Sequence, residues 1–301
     1  MIAITGASGQ TGHVAAKILL SRGQKVRVLG RHAEKLAPLV ALGAEARVFD
    51  FHDEAAMTDA FTGADAVYAM NPPNPTAEDI IGNYDRNSEA LVAAIKGSGV
   101  KHVVTLSSIA AQLSEGNGPV LGLYRMEQKI NTIPRLNVRH LRPAYFMENS
   151  LAQIPVIQKF GSIAGIIKGD LKFPMIATKD IGAVAADELE RHDFIGISTR
   201  ELLGSRDVSM NEAAKIIGAG IGKPELSYME PPVAMFVMAL RQAGLSANMA
   251  ELIAEMCLSI NSGVFRGEEA RAARNTTPTT FENFVAEVFA PAFRGGKAVS
   301  A

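Results

Sequence analysis

The stretch Ile2-Ala3-Ile4-Thr5-Gly6-Ala7-Ser8-Gly9-Gln10-Thr11-Gly12 decides how the whole chain is read. An apolar, β-branched run ends in Gly-x-x-Gly-x-x-Gly and passes into a helical pattern reaching about Leu20. Gly6 lets the chain turn sharply off the strand, Gly9 lets backbone approach a pyrophosphate, and Gly12 lets the helix pack against the sheet. The N–H groups around Ser8, Gln10 and Thr11, with the positive end of the helix dipole, then face the phosphates. A strand-to-helix turn without ligand uses the same glycines. The position directly after a first strand is what favours a dinucleotide.

The end of the second strand discriminates between the two nicotinamide cofactors, because an acid there binds the ribose 2′-hydroxyl and an arginine accepts a 2′-phosphate. The sequence reads Val28-Leu29-Gly30-Arg31-His32. Arg31 is expected to pair with the 2′-phosphate, with Gly30 leaving room, so NADPH is favoured and NADH remains possible. The alternative is a solvated Arg31 with Glu34 serving the ribose. After the third strand, Asp50 and Phe51 are placed to meet an adenine, or Asp50 caps the next helix together with Asp53. Met70, Asn71 and Pro72 form a stiff loop along the cofactor after the fourth strand.

Working outward, short β-branched runs alternate with helical patterns, which predicts βαβ units and a doubly wound, mostly parallel α/β sheet. Strands are expected near 2–5, 25–29, 45–49, 65–70, 102–107 and 137–141. A helix carries Ile81, Tyr84, Ser88, Leu91, Val92 and Ile95 on one face and ends at Gly97-Ser98-Gly99. From about 150 the pattern loosens into a Pro/Gly-punctuated stretch (154–178), then a helix over Ile181 to Arg191. An almost wholly apolar helix, Val233 to Ala243, precedes one with Met249, Leu252, Ile253, Met256 and Ile260 at helical spacing. Residues 1–150 are read as the nucleotide-binding unit and 151–301 as a smaller, mostly helical unit on the substrate side, with the chain able to cross between them. The tail from Arg294 to Ala301 is expected to fray.

Composition bounds the rest. With 48% apolar and 20% charged residues over 301, the chain is globular. Thirty basic against 31 acidic residues give a net charge of −1, so no overall field recruits nucleic acid or an anionic membrane. The single Cys257 and the scattered His13, His32, His52, His102, His140 and His192 show no metal-ligand spacing, so no metal is expected. The absence of a signal-like opening or a long apolar run points to a cytoplasmic protein.

The chain resembles the NmrA-like branch of the atypical short-chain dehydrogenases/reductases. The likeness rests on residues 4–12 and 28–31, Leu141-Arg142-Pro143-Ala144-Tyr145-Phe146-Met147-Glu148-Asn149, Ala177-Thr178-Lys179-Asp180-Ile181-Gly182 and Thr277-Pro278-Thr279-Thr280-Phe281. It implies a Rossmann sheet of order 3-2-1-4-5-6, a smaller C-terminal unit across a cleft, and Pro143, Ala144, Tyr145 and Phe146 near the nicotinamide. Members of the family include reductases of quinones and other conjugated molecules, and also regulators that bind the dinucleotide without known turnover.

Classical short-chain reductases place Tyr and Lys at i, i+4 on one helix face. Here Tyr124 is followed by Gln128, and Lys129 at i+5 lies about 140° off the tyrosine's face. The usual proton relay is therefore absent. Ser107 and Ser108, ending the fifth strand, can bond a substrate carbonyl or merely backbone; Tyr124 can donate a proton or orient a ring. Glu127 and Lys129 read as helix-surface or packing residues. A quinone accepts hydride as a stabilised phenolate and needs no strong placed acid, so hydride transfer to a small apolar conjugated acceptor is the expected activity. The alternative is a dinucleotide sensor that binds a regulatory protein partner. Met235, Met238, Met249 and Met256 suit an adaptable pocket, a core or a homodimer interface.

Overall fold

A computed structural model describes residues 1–51 and 53–295; His52 and the tail 296–301 lie outside the described residues. The chain alternates from the start: β1 (Ile2–Ile4), α1 (Gln10–Ser21), β2 (Val26–Gly30), α2 (Ala33–Val40), β3 (Glu45–Val48), α3 (Glu54–Phe61), β4 (Ala66–Met70), α4 (Ile80–Ser98), β5 (His102–Leu106), α5 (Val120–Asn131) and β6 (Asn137–Pro143). There follow β7 (Tyr145–Phe146), α6 (Ile154–Phe160), β8 (Ile163–Ala164), β9 (Phe173–Ile176), α7 (Thr178–Arg191), β10 (Ile197–Leu202), β11 (Asp207–Val208), α8 (Met210–Ile221), β12 (Tyr228–Met229), α9 (Val233–Gln242) and α10 (Ala247–Ser262).

The main sheet runs β3-β2-β1-β4-β5-β6, all parallel, and β10 extends it beyond β6, also parallel. The expected order 3-2-1-4-5-6 is present, with a seventh strand that the sequence reading did not foresee. Side chains alternate across the sheet, as the two-residue period demands. Ile2, Ile4, Val28, Tyr68 and Val104 join Leu19 of α1 and Ile181, Ala185 and Leu189 of α7 in one core. Ala3, Leu29, Val67, Ala69 and Val103 meet Met57 and Phe61 of α3, Leu91 and Ile95 of α4, and Met126 and Ile130 of α5 in the other. Both faces are covered, which is why the strands are apolar on both sides.

Past β6 the chain builds a second core from β7, β9 and α8, joined by Phe281, Phe284 and Phe289 of the C-terminal helical segment. Two small sheets belong to it, β11-β9-β7 and β12-β8. Between these pieces the chain returns to the first core: α7 packs along α1, and β10 joins the main sheet. The cleft between the two cores lies beyond the carboxyl ends of β1, β4, β5 and β6, where ligands of open α/β sheets bind. No helix among the described residues is long and apolar enough to cross a membrane.

Candidate functional site

Gly6 sits at φ +63°, and a Cβ there would run into the thioether of Met70 at the end of β4. Gly12 has no room for one against the Gly6 carbonyl, so it packs α1 onto the loop. Gly9 is the N-cap of α1; no side chain caps this helix, and no acid stands in its first turn. By contrast Asp53, Asp79, Ser209 and Ser246 cap α3, α4, α8 and α10. The first-turn amides of α1 are thus left to an outside acceptor, and no carboxylate competes for it. Thr5 Oγ1 donates to the Tyr68 carbonyl (3.0 Å) and accepts from Met70 N (2.9 Å), locking the ends of β1 and β4. Tyr68 donates to Thr11 Oγ1 at 3.1 Å, and burial pushes its phenol up, so it remains a neutral donor.

A groove of about 450 Å³ runs from this loop over the ends of β2 and β3, lined by Ser8, Gly30, Arg31, Asp50, Phe51, Met70 and Pro72 among others. The Arg31 guanidinium has no ion pair among the described residues. Glu34 does not line the groove; it lies 3.6 Å from His32. Asp53 caps α3, accepting from Ala56 N at 3.0 Å, and Asp50 lines the groove.

A second cavity of about 630 Å³ shares Gly6, Gly9, Met70 and Pro73 with the groove, so the two form one continuous channel. Gln10, Thr11, Asn71, Ser107, Ser108, Ala144, Tyr145 and Phe146 line it on the sheet side; Leu171, Phe173, Met256, Ile260 and Phe265 line it from the second core. Asn71 is clamped by α4: its Nδ2 donates to the Tyr84 carbonyl (2.9 Å) and Ser88 Oγ (3.0 Å), and its Oδ1 accepts from Asn87 (2.9 Å). Tyr145 stands edge-on to Phe173 at 5.5 Å between ring centres. Gly12, Pro143 and Tyr124 line neither cavity. The Pro143 carbonyl instead accepts from Ile109 N, shaping the loop after β5. Tyr124 is half-buried on α5, while its helix neighbours Val120 and Leu123 reach the cavity. Lys129 faces α4, 3.0 Å from both Asp85 and Glu89, so no tyrosine-lysine relay forms.

One constellation escaped the sequence reading. Glu127 is not on the helix surface but 1% exposed, and the Ser107 hydroxyl donates to its Oε1 at 2.5 Å. Arg142 grips the same carboxylate with Nε (3.0 Å) and Nη2 (2.6 Å), and reaches Glu268 with Nη1 (3.1 Å). With its proton committed to Glu127, Ser107 presents lone pairs to the cavity. Ser108 also lines the cavity, and its hydroxyl has no partner among the described residues. The available signal was periodicity: Glu127 falls on the same stripe of α5 as Val120, Leu123 and Ile130, where a carboxylate needs a buried partner.

The family model for the NmrA-like family matches residues 1–285. The chain belongs to the NmrA-like family. Quinone oxidoreductase 2 of Escherichia coli is 27% identical over 268 residues, 87% of this chain and 89% of that protein. A (4-alkanoyl-5-oxo-2,5-dihydrofuran-3-yl)methyl phosphate reductase of Streptomyces griseus is 30% identical over 224 residues, 74% of this chain and 75% of its own. Among solved structures, the Escherichia coli NADPH-dependent quinone oxidoreductase complexed with NADPH superimposes with a TM-score of 0.79 at 25% identity, covering 95% of this chain and 99% of that one.

The segments that carry the NmrA-like resemblance are tied to one another. Glu148 Oε1 accepts from Thr178 N (2.9 Å) and Oγ1 (2.7 Å), and burial raises the Glu148 carboxyl above its ordinary range. Asp180 accepts from Thr279 N (3.0 Å) and Oγ1 (2.7 Å). These links position the wall carrying Ala144–Phe146. Among the described residues no group of three or more His, Cys, Asp or Glu could hold a metal ion.

Proposed function

We propose that this protein is an NADPH-dependent reductase that passes hydride to a small, flat conjugated acceptor of the quinone type. The observation that carries the reading is the continuity of the channel: a phosphate-ready groove opens at Gly6, Gly9, Met70 and Pro73 into an apolar space large enough for an aromatic guest. The residues present fit a dinucleotide, because the tight turn at Gly6 and the close packing at Gly12 admit no side chain and the α1 amides are uncapped. The α1 amides would hold the pyrophosphate, Arg31 the 2′-phosphate, and Asp50 and Phe51 the adenine. The wall of Ala144, Tyr145 and Phe146 would lie near the nicotinamide, with Asn71 held rigid opposite. When bound, the dinucleotide supplies the hydride.

The chain's own contribution is chiefly to position the acceptor and exclude water from it. Ser108 is placed to donate to an acceptor oxygen, whereas Ser107 accepts from its cavity side. Tyr124 is a less direct proton source, since the cavity is reached by its neighbours instead. A quinone suits this arrangement, because the oxyanion left after hydride transfer is stabilised by resonance. The relatives named for quinone and dihydrofuranone phosphate reduction support the same acceptor class. The test is NADPH oxidation, followed by its absorbance, against a panel of quinones. Acceptor-dependent oxidation is expected; dinucleotide binding with no oxidation by any member would instead favour a sensor that signals to a partner protein.

A further inference from the structure

We propose that the acceptor cavity selects conjugated molecules carrying a negative charge, an aromatic or quinonoid body with a sulfonate, carboxylate or phosphate; this rests on the reductase reading above. Among the described residues the charged ones lining the cavity are Lys172 and Arg266, and no Asp or Glu lines it. The rest of the wall is largely apolar, so these two solvent-facing cations are the charged groups that a guest's anion would meet there.

Neither cation is spent on a strong internal pair. Arg266 is exposed and has no ion pair among the described residues. The acids that follow it are already committed, Glu268 to Arg142 at 3.1 Å and Glu269 to Arg274 at 3.0 Å. Lys172 is 64% exposed and 3.6 Å from Glu212, whose carboxylate also accepts from Ser209 N in a helix capping box. The Arg266 segment is held in place: its carbonyl accepts from Gln112 Nε2 (2.9 Å), and Glu201 accepts from the amides of Glu268 (2.7 Å) and Glu269 (3.0 Å). The whole chain carries −1, so the positive character is local to this cavity. These cations are also separate from Arg31, which lines the groove at the other end of the channel. A neutral guest gains nothing from them, and that difference is a specificity term.

The experiment uses two fluorescent probes of the same body, 8-anilino-1-naphthalenesulfonate and the uncharged N-phenyl-1-naphthylamine, titrated in the presence of saturating NADP⁺. The chain has no tryptophan to interfere. In the Arg266→Ala, Lys172→Ala double variant the sulfonate probe should bind about five-fold more weakly, and the neutral probe and NADPH within about two-fold of wild type. The loss should shrink in about 0.5 M salt. Equal loss for both probes, unchanged sulfonate binding in the double variant, or weakened NADPH binding would each overturn the proposal. In turnover, the preference for 1,4-naphthoquinone-2-sulfonate over 1,4-naphthoquinone should fall about five-fold in the double variant. If neither quinone is reduced, the reductase reading fails, while the probe titration still decides the charge preference.

Discussion

Arg31 leaves the end of β2 with its guanidinium free of any ion pair among the described residues and on the wall of the groove proposed for the nucleotide. Arg31→Ala should therefore weaken NADPH binding by about 1.5 to 3 kcal/mol and leave NADH nearly unchanged. Titration of both cofactors checks this, and equal loss for the two would remove Arg31 from the phosphate site. Such a residue is legible in sequence because its role follows from position at a strand end. Glu127 is different, since from α5 it meets Ser107 just past β5 and Arg142 on β6. Glu127→Ala would leave Arg142 with only the largely exposed Glu268, and should cost about 3 kcal/mol or more in urea unfolding, with Glu127→Gln costing less. A loss below about 1 kcal/mol would mean that the pair contributes little net.

At the scale of elements, α7 lies so close to α1 that a Cβ on Gly182 would come within 2.6 Å of Val14 Cβ and 2.8 Å of the Thr11 carbonyl. Gly182→Ala should push the two helices apart at a cost of about 1 to 3 kcal/mol. If the uncapped α1 amides hold the pyrophosphate as proposed, NADPH affinity should fall with stability, in contrast to an equally destabilising change in the second core. Measuring both in one variant separates the cases. The methionine-bearing helices divide in a way that periodicity could not show. Met256 lines the acceptor cavity, Met249 packs with Ile80 and Tyr84, and Met235 and Met238 are more than half exposed on α9, which buries no residue. An apolar helix pattern specifies a helix without specifying what covers it.

Across the whole molecule, pH dependence should include a term from His140, whose ring bonds Thr105 Oγ1 (2.7 Å) and Asn131 Oδ1 (2.9 Å). Burial lowers it from 6.5 to about 4, outweighing the attraction of Glu127. The unfolded chain then binds the proton more readily, so this stability is present above about pH 6.5 and is lost as pH falls toward about 4, roughly 3 kcal/mol in all. The ring resonances of His140 should stay those of a neutral imidazole at pH 5; titration near 6.5 would refute the assignment. The alternation of apolar runs and the glycine loop made the parallel sheet and its uncapped first helix readable, because strand period, turn chemistry and helix dipole are local properties. The edge strand β10 was not readable: Ile197-Ser198-Thr199-Arg200-Glu201-Leu202 is short and two-thirds polar, and the buried Glu201 is satisfied by the amides of Glu268 and Glu269. By itself, then, the sequence determined the doubly wound α/β architecture and the glycine turn that opens it. The link from Ser107 through Glu127 to Arg142, and the meeting of Lys172 and Arg266 at the larger cavity, were decided by tertiary structure, since these residues are distant in the chain and no local pattern records which buried carboxylate meets which cation.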